Sequence, residues 1–426
     1  MINDLLEVIH LSNPWLQNPN ELIFEDSSFI YRQNIDILLL PDWDTIWTVL
    51  IGPRQAGKTT LGKYLCQTLI NQGRFRSLIY LNCDYFEVRN WLNQGPQFLN
   101  QVLDQFELVK PILFIDESQR LENPGLLLKA IVDLNRSIKL ITSGSSQLEI
   151  KAKIQEHLTG RQLEALILPF SQLELKKSKI ELAQQLIFGS YPQIVKVEQK
   201  EIILSQLFSN YISKDIIELL KLGKPDMMRN LIGLMAHSVG QLVNYQQLAV
   251  DCKSTIPTIQ NYLSILEQTY VLKALKPFVG NKRTEITANP IYYFLDNGFR
   301  NQALQNFSLL ERRSDAGFLV ENFVLQEIMK YKTQHFKNWD IYFWRTKSGA
   351  EVDFVVKAGE RIVPIEVKYQ NMKAPKLTRG FRSFLKSYQP SLSAVITKSF
   401  TAKVNEENGT VMFLTLPELD KILTKI

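Results

Sequence analysis

The sequence predicts an α/β protein with an N-terminal parallel sheet, and three observations carry that expectation. A glycine-rich loop, Gly52-Pro53-Arg54-Gln55-Ala56-Gly57-Lys58-Thr59, lies between an apolar run and a helical stretch. Strand-like runs then recur at 46–51, 78–82, 112–115 and 138–143, with helical stretches between them. Near the C-terminus, three more strand-like runs carry carboxylates and a lysine at alternating positions.

The loop reads G-x-x-x-x-G-K-T. Ile46 to Ile51 is a buried strand by its unbroken apolar character. Lys58 to Gln72 is helical, with Leu61, Leu65 and Leu69 spaced four apart. Glycines let backbone N–H groups and a helix N-terminus surround a phosphate closely. Gly52 to Thr59, with Thr60 beside it, is therefore the expected ATP-binding segment. Lys58 is expected on the β/γ-phosphates, and the Thr59 hydroxyl on Mg²⁺.

Ile112 to Ile115 is a second apolar run, ending in Asp116-Glu117. Asp116 is expected to hold the same Mg²⁺, usually through water, and Glu117 to polarise the attacking water. The fourth run ends in Thr142-Ser143-Gly144-Ser145-Ser146. Ser143 there either senses the γ-phosphate or belongs to a helix cap. A fifth run, 163–168, follows His157-Leu158-Thr159-Gly160-Arg161. Arg161 is either a charge-stabilising finger or a structural anchor.

A chain of 426 residues is long for one core, so several domains are expected. The reading is an N-terminal irregular arm (1–30), the ATPase core (31–170) and a helical lid or linker (171–227). A winged helix (228–300) and a C-terminal α/β domain (301–426) follow. No apolar run approaches 18 residues and the N-terminus lacks a signal pattern. Cys66, Cys83 and Cys252 have no metal spacing and read as reduced core thiols. A cytoplasmic protein with no membrane partner is expected. The net charge is +6, yet eight basic residues between Lys368 and Lys403, with no acidic residue among them, hold all of the positive excess. That clustering is either a solvated helix face or a footprint for a phosphate backbone.

In the winged-helix segment, Met228 to Val239 is the first helix, and Gly240 ends it. Asn244 caps a second helix, Tyr245 to Cys252, and Ser254 caps a third, Thr258 to Tyr270. Lys253, Ser254, Thr255, Thr258 and Asn261 face outward for double-stranded DNA, and Gly280 to Thr284 is the expected wing tip. A packing role for the same segment stays open.

In the last segment, Glu351 and Asp353 share one strand face, as do Glu366 and Lys368. Asp353 lies 13 residues before Glu366, across a tight turn at Gly359. Two carboxylates and an amine on neighbouring strands can hold Mg²⁺ at Asp353 and Glu366 while Lys368 orients water. Glu321, on a helix from Phe318 to Lys330, is a further candidate ligand. The alternative is a set of cross-strand ion pairs.

Together these residues resemble the prokaryotic AAA-type ATPases that carry a C-terminal domain of unknown function. Asn13-Pro14-Trp15, the phosphate loop, Asp116-Glu117-x-Gln119, Ser143 to Ser146 and Leu158 to Arg161 carry the likeness in the first half. In the second half it rests on Tyr211-x-x-Lys214-Asp215, Pro257-Thr258-x-x-x-Tyr262-Leu263, Tyr293-Phe294-x-Asp296-x-Gly298 and Glu321-Asn322-Phe323-Val324. Glu351-Val352-Asp353 with Glu366-Val367-Lys368 is similar to the PD-(D/E)XK nuclease pattern, with Val352 where that pattern has proline. The resemblance implies an ATPase core, a winged helix and a restriction-endonuclease-like domain. The expected function is a Mg²⁺-dependent ATPase acting on DNA, either an ATP-gated nuclease or a molecular switch that binds without cutting. A homo-oligomer stays open.

Overall fold

The structure, a computed structural model, describes residues 2–18, 21–106, 108–133, 137–145, 162–178, 180–218, 225–279, 288–406 and 409–426. Arg161, Ser146, the segment 157–160 and the expected wing tip lie outside the described residues. The chain divides into two compact units, Met1–Leu168 with Thr333–His335, and Pro169–Lys332 with Phe336–Ile426.

The first unit is built on a five-stranded sheet: β1 (Trp47–Ile51), β2 (Ser77–Asn82), β3 (Pro111–Asp116), β4 (Lys139–Gly144) and β5 (Gln162–Leu166). All pairings are parallel, in the spatial order β2-β3-β4-β1-β5. β1, β3 and β4 are buried along their whole length. This is what continuous apolar runs give when helices cover both faces. The helix Lys58–Asn71 buries Leu61, Leu65, Cys66 and Leu69. It lies so close to β3 that a Cβ on Gly62 would come within 2.4 Å of the Phe114 ring.

The expected irregular arm over residues 1–30 is helical in its first part and irregular over 21–30. Ile2–Ser12 is a helix, and Ile9 enters the sheet core. The apolar spacing of Ile2, Leu5, Leu6 and Ile9 carries a helical period. Asn13 then clips the chain to the exposed edge of β2. Its amide donates to Tyr80 O (3.0 Å) and its Oδ1 accepts from Tyr80 N (2.6 Å), while Trp15 Nε1 donates to Leu78 O (2.9 Å). A side-chain amide thereby pairs an edge strand that would otherwise present free backbone groups.

The second unit holds an eight-stranded mixed sheet. Its strands are β6 (Leu272–Pro277), β7 (Ile291–Phe294), β8 (Trp339–Arg345), β9 (Glu351–Ala358), β10 (Arg361–Lys368), β11 (Leu392–Thr397), β12 (Ala402–Glu406) and β13 (Gly409–Thr415). The spatial order is β12-β13-β11-β10-β9-β8-β6-β7. The β6–β7 hairpin, expected to belong to a winged helix, continues this sheet by parallel pairing of Lys276 with Tyr342 and Pro277 with Phe343. Ahead of it, Asn244 caps the helix Tyr245–Asp251 as expected. The next helix, Ile256–Gln268, is capped by Thr255, not Ser254: its side chain accepts from Thr258 N. Pro257 sits in the first turn of that helix, where a missing N–H costs nothing.

Several of the family-like motifs prove to be structural. Asp296 caps the helix Asn297–Leu304 and accepts from Ser190 N (2.8 Å). A Cβ on Gly298 would meet Phe188 O at 2.2 Å, so glycine is required there. Asn322 pairs with both backbone groups of Phe294 and with Asn297.

Candidate nucleotide and carboxylate sites

The phosphate loop leaves the C-terminal end of β1, where an open parallel sheet places its ligands. Its backbone turns through left-handed conformations at Gln55 (φ 59) and Gly57 (φ 94), and Gly52 has φ 142. A Cβ on Gly52 would lie 2.1 Å from Ile167 O. Glycine is needed there both for the backbone angle and for that approach. Lys58, only 4% exposed, donates from Nζ to Gly52 O (3.0 Å) and Pro53 O (2.9 Å). It therefore spans the mouth of the loop.

β4 stands between β1 and β3, so the acids of β3 reach the loop across the end of β4. Asp116, 2% exposed, is the hub. Its Oδ2 accepts from Thr59 Oγ1 (2.8 Å) and Tyr80 OH (2.8 Å), and its Oδ1 accepts from Ser143 Oγ. Burial, with Asp116 alongside, pushes the Tyr80 phenol well above its ordinary value. The expected residues Lys58, Thr59, Asp116 and Ser143 thus converge. The donor set at Thr59 and Asp116 is hydroxyl and carboxylate oxygen, the hard ligands that suit Mg²⁺.

Glu117 follows in a left-handed conformation (φ 52, ψ 41) that turns it off the strand. Gln119 Nε2 donates to Glu117 Oε2 (2.5 Å) and to Ser145 Oγ (2.9 Å), and Ser143 Oγ accepts from Glu117 N (3.1 Å). The sequence reading assigned no role to Tyr80 or Gln119. Gln119 ends the Asp116-Glu117-x-Gln119 motif. Tyr80 had only a weak signal, a polar tip in an otherwise apolar strand.

The second cluster lies on β9 and β10, which pair antiparallel with Ile365 opposite Phe354. Lys368 Nζ is 3.1 Å from Glu366 Oε1. Glu366 is 3% exposed, and its Oε2 accepts from Thr378 Oγ1 (3.1 Å). Thr378 also caps the helix Arg379–Tyr388. The half-buried Asp353 accepts from Val367 N through Oδ2 (2.7 Å). Glu321, on the helix Ala316–Gln334, accepts from Tyr293 OH (2.7 Å).

Electrostatics tie these groups together. Burial raises Asp353 to about 7, and the neighbouring Glu366 adds to the rise. Burial also lifts Glu366, partly offset by Lys368. Glu321 stands well above the ordinary carboxylate range through burial and the charge of Asp353. Burial alone would lower Lys368, but Glu366 and Asp353 outweigh it and raise the amine. Among the described residues, no group of three or more His, Cys, Asp or Glu is arranged to hold a metal. The two-carboxylate set Asp353 and Glu366 with Lys368 is what the structure assembles.

The basic tract is exposed at Lys373, Lys376, Arg379, Arg382, Lys386, Lys398 and Lys403. Arg379, Arg382 and Lys386 line the outer face of a helix whose inner face buries Phe381 and Phe384. A Cβ on Gly380 would strike the backbone of Glu351 at 2.6 Å, so this helix sits directly on the start of β9. The three cysteines are free and buried. Among the described residues, no helix is long and apolar enough to cross a membrane.

Residues 45–176 match the AAA domain family. Residues 179–310 and 316–419 each match a domain of unknown function, DUF8612 and DUF4143. An uncharacterized protein of Haemophilus influenzae is 24% identical over 366 residues, covering 80% of this chain and 88% of its own. One from Mycobacterium tuberculosis is 24% identical over 355 residues, covering 82% and 75%. Among solved structures, a Walker-type ATPase of Pyrococcus abyssi aligns with 68% of this chain and 99% of its own, at 15% identity and a TM-score of 0.43. The AAA-domain match falls on the phosphate loop and parallel sheet described above, so the N-terminal unit is P-loop ATPase-like.

Proposed function

We propose that the chain is a Mg²⁺-dependent ATPase of the AAA type that acts on double-stranded DNA. The observation that carries the ATPase reading is the meeting of Thr59, Asp116 and Ser143 beside the Lys58 loop. The loop N–H groups and Lys58 bind and orient the phosphates, and the buried setting strengthens each of these contacts. Mg²⁺ bound at Thr59 and Asp116 supplies charge neutralisation on the phosphates. Glu117 is the group that takes a proton from water, once freed from the Gln119 amide. Arg54, Gln55 and Thr60 complete the nucleotide contacts, and Arg161 is assigned to the γ-phosphate.

DNA contact is assigned to the exposed basic tract beside β9 and β10, with the outward residues of the Ile256–Gln268 helix. At the second cluster, Asp353 and Glu366 are the metal-holding pair, Glu321 an outer carboxylate and Lys368 the water-orienting amine. A second reading, a switch that binds DNA or protein without cutting, is favoured by the direct ion pair of Lys368 with Glu366, which occupies both groups.

One experiment separates the readings. Purified protein is incubated with supercoiled and linear DNA, with Mg²⁺ or Mn²⁺, with and without ATP, beside Lys58→Ala and Lys368→Ala. ATP turnover lost in Lys58→Ala supports the ATPase; turnover unchanged in that variant refutes it. Cleavage lost in Lys368→Ala supports the nuclease, and no cleavage with intact turnover leaves the switch.

A further inference from the structure

A cavity of about 500 Å³ opens in the second unit, well apart in sequence from both sites above. Three helical segments line it: Lys200–Asn210 running into a π-helical stretch Tyr211–Glu218, then Pro225–His237, then Asn297–Leu304. π-helical turns recur at functional sites because they widen the helix and re-aim side chains.

The lining is chemically mixed in an informative way. Gln302 is only 6% exposed, and its side chain lines the cavity. Its amide offers an entering ligand one donor group and one acceptor group. Ser205 and Ser209, one helical turn apart, add two hydroxyls on the same wall. Arg229 supplies the cation. It donates to Ser213 Oγ (3.1 Å) and pairs with Asp226 at 3.3 Å, an exposed pair of little strength that a better anion displaces. Phe208 and Ile232 give the apolar surface, and no carboxylate lines the described wall. The cavity therefore disfavours cations. It asks for a planar ring edge with both a donor and an acceptor, hydroxyls, and one anionic group.

We propose that this cavity binds a mononucleotide-class ligand. The base edge pairs with the Gln302 amide, which presents one donor face and one acceptor face. The ring lies against Phe208, the sugar meets Ser205 and Ser209, and the phosphate pairs with Arg229.

The test is photo-crosslinking of the full chain with 8-azido-AMP, followed by tryptic mapping. Mapping separates this site from the phosphate loop, whose labelling serves as an internal control. Label is expected in peptides 201–214 and 301–312, competed by AMP. Gln302→Leu and Arg229→Ala should each weaken it about ten-fold. Ser205→Ala, a mild change, should weaken it a few-fold and guards against misfolding of the Gln302 variant. Adenosine lacks the phosphate, so it should compete equally well in the wild type and in Arg229→Ala. Label confined to other peptides overturns the proposal. So does label at 201–214 that all three variants leave unchanged, or an equal loss of adenosine competition in Arg229→Ala.

Discussion

Replacing Asp353 by Asn should stabilise the β9–β10 region at pH 8 and do nothing there at pH 4. Asp353 is raised to about 7 in the folded chain, chiefly by burial and then by Glu366. A carboxyl whose folded pKa exceeds its unfolded value holds its proton more tightly when folded. Its favourable contribution is full at low pH and is lost as pH rises through the interval from about 4 to about 7. Above that interval the folded chain carries a buried charge that folding opposes. Roughly three pKa units at ~1.4 kcal/mol each set a ceiling near 4 kcal/mol, and about 2 kcal/mol is expected after relaxation. Asn removes the charge but keeps an oxygen to accept from Val367 N, so the local hydrogen bond survives. It also relieves Glu321, which the Asp353 charge holds high. The assay is hydrogen-exchange protection of peptides covering 351–368, in the wild type and the variant, at both pH values. Equal protection at pH 8, or a gain of the same size at pH 4, would refute the electrostatic account.

Other expectations follow from single contacts. Glu117→Gln should cut ATP turnover by ~10²-fold or more while leaving binding of a fluorescent ATP analogue intact; lost binding would mean that Glu117 is structural. Gly52→Ala should lower the melting temperature and abolish nucleotide binding, because its Cβ has 2.1 Å to Ile167 O; the strain alone costs ~1–3 kcal/mol, and an unchanged melt would contradict it. Asn13→Ala leaves the Tyr80 N–H and C=O of the β2 edge unpaired. A loss of about 1–3 kcal/mol in urea unfolding is expected, and no loss would show that the N-terminal helix docks without that clip.

Much of the ATPase-like unit was legible because its signals are local. Gly52, Gly57 and Lys58 are fixed by the needs of one loop, and Asp116 and Glu117 by the end of one apolar strand. Spacing along the chain is enough to read such features. Asn244 as a cap was legible for the same reason, whereas Ser254 and Thr255 offer equivalent chemistry one residue apart and only the backbone chose Thr255.

What the tertiary structure decided involves partners far apart in sequence. Placing β4 between β3 and β1 brings Ser143 onto Asp116 and Tyr80 in from the neighbouring strand β2. Joining the β6–β7 hairpin to β8 makes one sheet of residues that read as two domains. The pairing of Lys368 with Glu366, the Thr378 contact and the placing of Gln302 at a cavity wall depend on which helix covers which strand or cavity wall. A sequence fixes what each residue can offer. The fold decides which donors and charges meet, because strand order and burial are set by the whole chain packing at once.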